Sequence, residues 1–252
     1  MEVRSISIYG RPTPTNFALL AFGRRTFTSA GSARPVIRNG FTPIDATARA
    51  PAEWSGSSAA SRLEFRVRGK PSNRPPSREE VLAAVNLTVP DLIAPDLSVL
   101  LCGINPGLYS AATGHHFARP GNRFWRALHA AGFTDRVLKP WEESELLANG
   151  VGITNLVARA TAGAAELTRG ELIAGRDRLE RKAARYRPRW IAIVGIGAYR
   201  VAFERPRATI GKQLESLGMS RLWVLPNPSG LNANHQMPEL TRAFRALRSA
   251  IA

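Results

Sequence analysis

The chain has one cysteine, three methionines and four histidines among 252 residues, and those shortages exclude several chemistries. A lone Cys102 can form no intrachain disulfide and complete no four-cysteine zinc or iron–sulfur site. Because it sits inside an apolar run, it reads as a buried, inert thiol rather than a nucleophile. His115, His116, His129 and His235 stand in no HExxH or H-x-E…CxxC pattern, so neither a metal site nor a cofactor is expected. The apolar run Phe17–Phe22 falls far short of the roughly 20 residues of a membrane span, and no membrane partner is expected. Acidic side chains are scarce too, with none between Asp96 and Asp135.

What is present in excess is arginine. Lys+Arg number 35 against 19 Asp+Glu, a net charge of +16, and the only lysines are Lys70, Lys139, Lys182 and Lys212. Such a balance favours polyanions, nucleic acid first and membrane surfaces second. Genomic base composition and solubility also enrich arginine, so charge by itself weighs only modestly for nucleic acid.

The first 75 residues stand apart. They carry 12 Lys+Arg and 4 Asp+Glu, net +8, with many Ser, Thr, Pro and Gly and no sustained hydrophobic period. This predicts a disordered basic N-terminal arm over 1–75 followed by a folded domain over 76–252. The segment "NFALLAFGRRTFTSAGSARP" (16–35) has the Arg- and Ser-rich, acid-poor character of an organellar transit peptide. A nonspecific basic arm, a targeting segment and an overextended start of translation all stay open. In a bacterium the expected location is the cytoplasm, in association with the nucleoid. The stretch "GKPSNRPPSREE" (69–80) reads as a linker that ends in a capping box, Ser77 at the N-cap and Glu80 three residues on.

From there helices and strands alternate. The patterning predicts helices over 77–86, 122–131, 171–186 and 238–251, and strands over 97–104, 152–157, 190–194 and 221–225. No internal repeat occurs. The alternation argues for an α/β fold of three layers, α/β/α, around a central, mainly parallel sheet. In open parallel sheets ligands bind beyond the carboxyl ends of the strands. "GINPG" (103–107) falls at that end of the first strand, and "LPNPSGLNANH" (225–235) at that end of the last. One Asn-Pro turn is an ordinary turn former; two at one rim make a candidate site. "VGIGAY" (194–199) also follows a strand, but Arg200 stands where a dinucleotide fingerprint needs its third glycine. A Rossmann-like nucleotide-binding enzyme is therefore retained only as an alternative.

The segments "GINPGLYSAATGHHFARPGNRFW" (103–125), "GITNLVARAT" (152–161) and "LPNPSGL" (225–231), in that order, resemble the mismatch-specific uracil/thymine-DNA glycosylases. Those enzymes belong to the uracil-DNA glycosylase superfamily. The likeness runs from about Leu97 to the C-terminus and leaves residues 1–75 outside. It implies a uracil-DNA glycosylase-like fold and a monomeric, monofunctional hydrolase of base excision repair. Its partner would be double-stranded DNA holding G·U or G·T mismatches. The enzyme would flip uracil, thymine or a damaged pyrimidine out of the duplex and hydrolyse its N-glycosidic bond, without metal, redox centre or lysine Schiff base. A non-catalytic nucleic-acid-binding module of the same fold is the other alternative.

The resemblance also implies roles. Asn105 positions the hydrolytic water, aided by the Ile104 backbone, and Phe117 stacks on the flipped base. Gly107 admits backbone close to the base edge, Ser110 lies beside the base C5, and Asn155 and Thr161 complete the base pocket. Asn227 stands where faster sister enzymes place a histidine that supports the departing base. Ser229 holds phosphate, while Gly230, Leu231 and Asn232 form a wedge into the duplex, with Ala233 where related wedges often carry an arginine. Sister families that cleave uracil faster have an aspartate on the first loop. Departure of the base leaves an oxocarbenium-like sugar, so a weakly activated water suffices and an amide oxygen can replace a carboxylate. On that reasoning Asn105→Asp is expected to retain substantial activity. Arg119 and Arg123 read as solvated, and His115 and His116 carry no assigned proton transfer.

Overall fold

The computed structural model describes residues 74–230 and 235–252. The arm expected over 1–75 therefore lies outside the described residues except for its last two positions. Within them five strands make one sheet: β1 Val99–Gly103, β2 Val151–Asn155, β3 Trp190–Val194, β4 Gly211–Leu217 and β5 Ser220–Leu225. Their order is β2-β1-β3-β5-β4. All neighbours run parallel except β4, which pairs antiparallel with β5 across a tight turn at Gly218 and Met219.

The sheet is covered on both faces. Successive side chains of a strand point to opposite faces, so Val99, Leu101, Ile153 and Leu225 enter one core while Leu100, Cys102, Ile193 and Val224 enter another. Double burial turns β1, β3 and β5 into continuous apolar runs rather than alternating ones. Six α-helices surround them: α1 Arg78–Leu82, α2 Leu108–Thr113, α3 Phe124–Ala130, α4 Arg169–Tyr186, α5 Ile196–Ala202 and α6 Met237–Ile251. α3, α6 and the 3-10 segment Pro140–Asn149 cover the first face, and α4 and α5 the second. These are the three layers that the alternation of elements predicts. α6 shows why: Leu240, Phe244, Leu247 and Ile251 recur at helical spacing and are all buried. Truncating Phe244 there to Ala costs about 3–5 kcal/mol.

Cys102 is fully buried, and burial pushes its thiol pKa up. Among the described residues no helix is long and apolar enough to cross a membrane, and no group of three or more His, Cys, Asp or Glu could hold a metal ion.

Several elements differ from the sequence expectation. α1 has the expected Ser77–Glu80 capping box but ends at Leu82 rather than 86, and Asn86 takes φ +64° as the chain turns away. α4 starts at Arg169, two residues earlier than expected, because Thr168 accepts from the Glu171 N–H as its N-cap. α2 and α5 lack a sequence signature, since "LYSAAT" shows no apolar stripe and α5 follows β3 after a single glycine. β4 lacks one for another reason. At the sheet edge its Leu214 points to solvent while Gln213 and Glu215 are half-buried, which inverts the expected alternation.

Candidate active site

The carboxyl ends of β1, β2 and β5 converge on a cavity of about 310 Å³. Ile104, Asn105, Pro106, Gly107, Ser110, Phe117, Asn155, Thr161, Asn227 and Ser229 line it, together with Val89, His116, Arg119, Asn122, Ala162, Gly163, Ala164 and Val194. No carboxylate appears among these described lining residues. Nearly every sequence-nominated residue thus comes to one place. Leu231 and Asn232 lie outside the described residues; Gly230 is described and stands just beyond the lining.

Asn105 sits where β1 leaves the sheet, after Gly103 and before a proline that cannot donate to a ladder. Its Nδ2 shares two hydrogens among three acceptors, Arg159 O at 3.1 Å, Pro106 O at 3.2 Å and Thr161 Oγ1 at 2.7 Å. Two of those partners are carbonyls, which only accept, so the amide has one sensible orientation. The NH₂ group faces the protein, and the carbonyl Oδ1 is left for the cavity. Thr161 is buried, and its hydroxyl donates onward to Gly163 O at 2.9 Å. Thr161 therefore grips Asn105, a contact that spacing alone does not reveal. The Thr161 N–H also donates to Pro106 O at 3.2 Å, tying the two loops together.

Arg159 is anchored in turn. Its guanidinium binds Glu171 through Nε at 2.5 Å and Nη2 at 3.0 Å. That ion pair and the α4 capping contacts hold the Glu171 carboxyl at about 2, against an ordinary 4.5. A surface ion pair so placed fixes the backbone carbonyl that receives Asn105.

The β2 side presents Asn155 and His116. His116 Nε2 donates to Pro90 O at 2.9 Å, which fixes the tautomer and leaves Nδ1 as an acceptor 3.5 Å from Asn155 Nδ2. Burial lowers the His116 pKa, so the ring is neutral near pH 7. Glu143 receives His116 N–H at 3.0 Å and meets His115 Nδ1 at 3.0 Å. No sequence signal links Glu143 to these histidines. A Cβ on Gly103 would displace Asn155 Oδ1 and crowd Phe117, so glycine there leaves Asn155 in its place at the cavity.

Phe117 holds φ +51°, a left-handed conformation that an aromatic residue seldom adopts. Its ring stacks on Phe124 at 3.8 Å between centroids and 14° between planes. Asn122 caps that platform, accepting from Phe124 N at 2.9 Å. Ser110 is buried, and its Oγ accepts from Ala118 N at 3.0 Å, beside Phe117. Gly107 behaves differently from Gly103: a Cβ there would meet open space.

On the β5 side, Asn227 Oδ1 accepts from Ser229 N at 3.0 Å, an Asx turn. Asn227 thus caps its own turn. Arg119 is exposed and lines the cavity. Arg123 is not the solvated residue that the sequence suggests; its guanidinium donates to three backbone carbonyls.

A mainly parallel sheet covered by helices, with a small cavity at its carboxyl rim that no described carboxylate lines, is the α/β architecture in which rim loops hold ligands. The family model of the Uracil DNA glycosylase superfamily matches residues 90–249. The chain belongs to that superfamily, and with it goes hydrolase activity: a DNA glycosylase acting on uracil, in DNA repair.

Proposed function

We propose that the protein is a monofunctional glycosylase that removes uracil mispaired with guanine, acting as a monomer on double-stranded DNA. The observation that carries this reading is the Asn105 amide, turned by two carbonyls and a threonine so that an acceptor oxygen is left to a cavity that no described carboxylate lines. In that cavity the flipped base stacks on Phe117 and is met by Asn155 and the Gly107 backbone, with Ser110 beside C5. The bond between sugar C1′ and base N1 breaks, its electron pair leaving with the base. A water held by Asn105 Oδ1 and the Ile104 backbone then bonds to C1′ and gives its proton to solvent. A neutral amide stabilises neither the cation nor the water strongly, so the chemical step is slow. Asn227 adds no charge for the departing base.

Slow chemistry supports a preference for guanine partners. A mispaired base is cheaper to unstack than a paired one, and an enzyme with modest transition-state stabilisation depends on that difference. Arg119 contacts a flanking phosphate, and residues 230–232 occupy the gap left by the base. Excision from duplexes holding G·U, G·T or A·U, and from single-stranded U, tests the reading through the abasic sites formed. Among the duplexes, G·U should be processed fastest. Equal rates opposite adenine and guanine would overturn the mismatch preference, and an absence of abasic sites would overturn glycosylase action.

A further inference from the structure

We infer that Arg123 is a positioning residue that seats the Asn227–Ser229 turn and so completes the cavity, an inference that rests on the glycosylase reading above. Four hydrogen bonds carry it. The guanidinium donates from Nη2 to Ser229 O at 2.6 Å, from Nη1 to His235 O at 2.6 Å and from Nε to Pro228 O at 3.3 Å. The Arg123 backbone N–H also donates to Pro228 O, at 3.1 Å. One rigid fork therefore fixes carbonyls on both flanks of residues 231–234, a task for which a planar guanidinium is suited.

The contact next to it is equally close. A Cβ on Gly230 would stand 2.7 Å from Gly121 O, so the second motif rests directly on the turn that precedes α3. Phe124, the residue after Arg123, carries the Phe117 platform. The opening of α3 thereby places two parts of the cavity wall: the aromatic part through Phe124 and the Asn227–Ser229 turn through Arg123. A shift of Arg123 moves Asn227 relative to Asn105 although Arg123 does not line the cavity.

Single-turnover excision from a G·U duplex, measured for native protein, Arg123→Met, Asn227→Ala and the double variant, reads this directly. Displacing a wall by about 1 Å costs on the order of 10- to 100-fold in rate, and Arg123→Met should show that loss with DNA affinity kept. The double variant should be little slower than the slower single one, because both changes disable the same turn. Arg123→Lys, with its single ammonium, should remain several-fold slow; it stands in should the Met variant fail to fold, and its own double with Asn227→Ala then gives the cycle. Multiplicative losses, or a native rate in Arg123→Met, would overturn the inference. Weakened binding with a salt slope reduced by about one, rescued by lysine, would overturn it as well, since that is the signature of a phosphate contact. A native protein without excision would sink the glycosylase reading, a result separable from either outcome.

Discussion

Replacing Asn105 by aspartate tests the active-site geometry more sharply than truncation does. Chemistry alone favours the change, because a carboxylate could serve as a base and support a cationic sugar. The structure opposes it. The atom that replaces Nδ2 would face Arg159 O at 3.1 Å and Pro106 O at 3.2 Å, neither of which can donate. Thr161 Oγ1, at 2.7 Å, already spends its proton on Gly163 O. In its ionised form the Asn105→Asp variant loses both amide hydrogens, which three acceptors share, and sets negative charge against two carbonyls. Its protonated form recovers a single donor. In the protonated form one hydrogen bond lost, at about 1 kcal/mol, and one carbonyl left facing an oxygen lone pair, at about the same again, amount to about 2 kcal/mol, roughly 30-fold in rate, and the ionised form should lose more than ~100-fold. Burial and the carbonyl lone pairs raise the carboxyl pKa of the variant. Its single-turnover excision from a G·U duplex should therefore be at least as slow as that of Asn105→Ala at pH 8 and partly recover toward pH 6.5, with DNA binding by anisotropy retained. A near-native, pH-independent rate would show that the amide is not held as described.

Three further outcomes follow from neighbouring contacts. Thr161→Val keeps shape but removes the grip on Nδ2, and with two carbonyls still in place it should slow single-turnover excision by about tenfold; the lost bond to Gly163, which is exposed and regains water, lowers stability by only about 1 kcal/mol; an unchanged rate would refute the grip. Ser110→Ala makes room beside the base C5 and frees Ala118 N, so the G·T to G·U excision ratio should rise several-fold while the melting temperature falls. A constant ratio would remove Ser110 from the pocket. Burial lowers the His116 pKa from 6.5, against the opposing charges of Glu143 and Asp91 and with a smaller lowering from His115. Below pH 6.5 the unfolded chain binds a proton that the folded one resists, so stability falls as pH drops through that window. Thermal melts should show this slope in the native protein and lose it in His116→Gln; identical slopes would refute it.

The layered fold is legible because doubly buried strands and an amphipathic helix such as α6 write their burial into the sequence as runs and stripes. The rim is legible in part, because Asn105 and Asn227 each stand in an Asn-Pro turn directly after a strand. What holds those residues is not legible. Thr161 meets Asn105 across 56 positions, Glu143 meets the His116 N–H across 27, and Arg123 reaches the second motif across more than 100. Such contacts arise from three-dimensional closure and leave no period or local spacing. For the same reason Arg123 reads as solvated from composition, although its donors are consumed by carbonyls. β4 escapes because an edge strand need not turn its leucine inward.

Cys102 has a practical side. It is the chain's sole thiol, wholly enclosed between β2 and β3 and held in its protonated, unreactive form. The native background is therefore silent to maleimides and needs no cysteine-free parent. A single cysteine introduced at the solvent-exposed Met219, on the β4–β5 turn, takes one dye or spin label at one known site. Paired with a label on the DNA, it turns each binding event into a distance, measured on a protein otherwise left as it is.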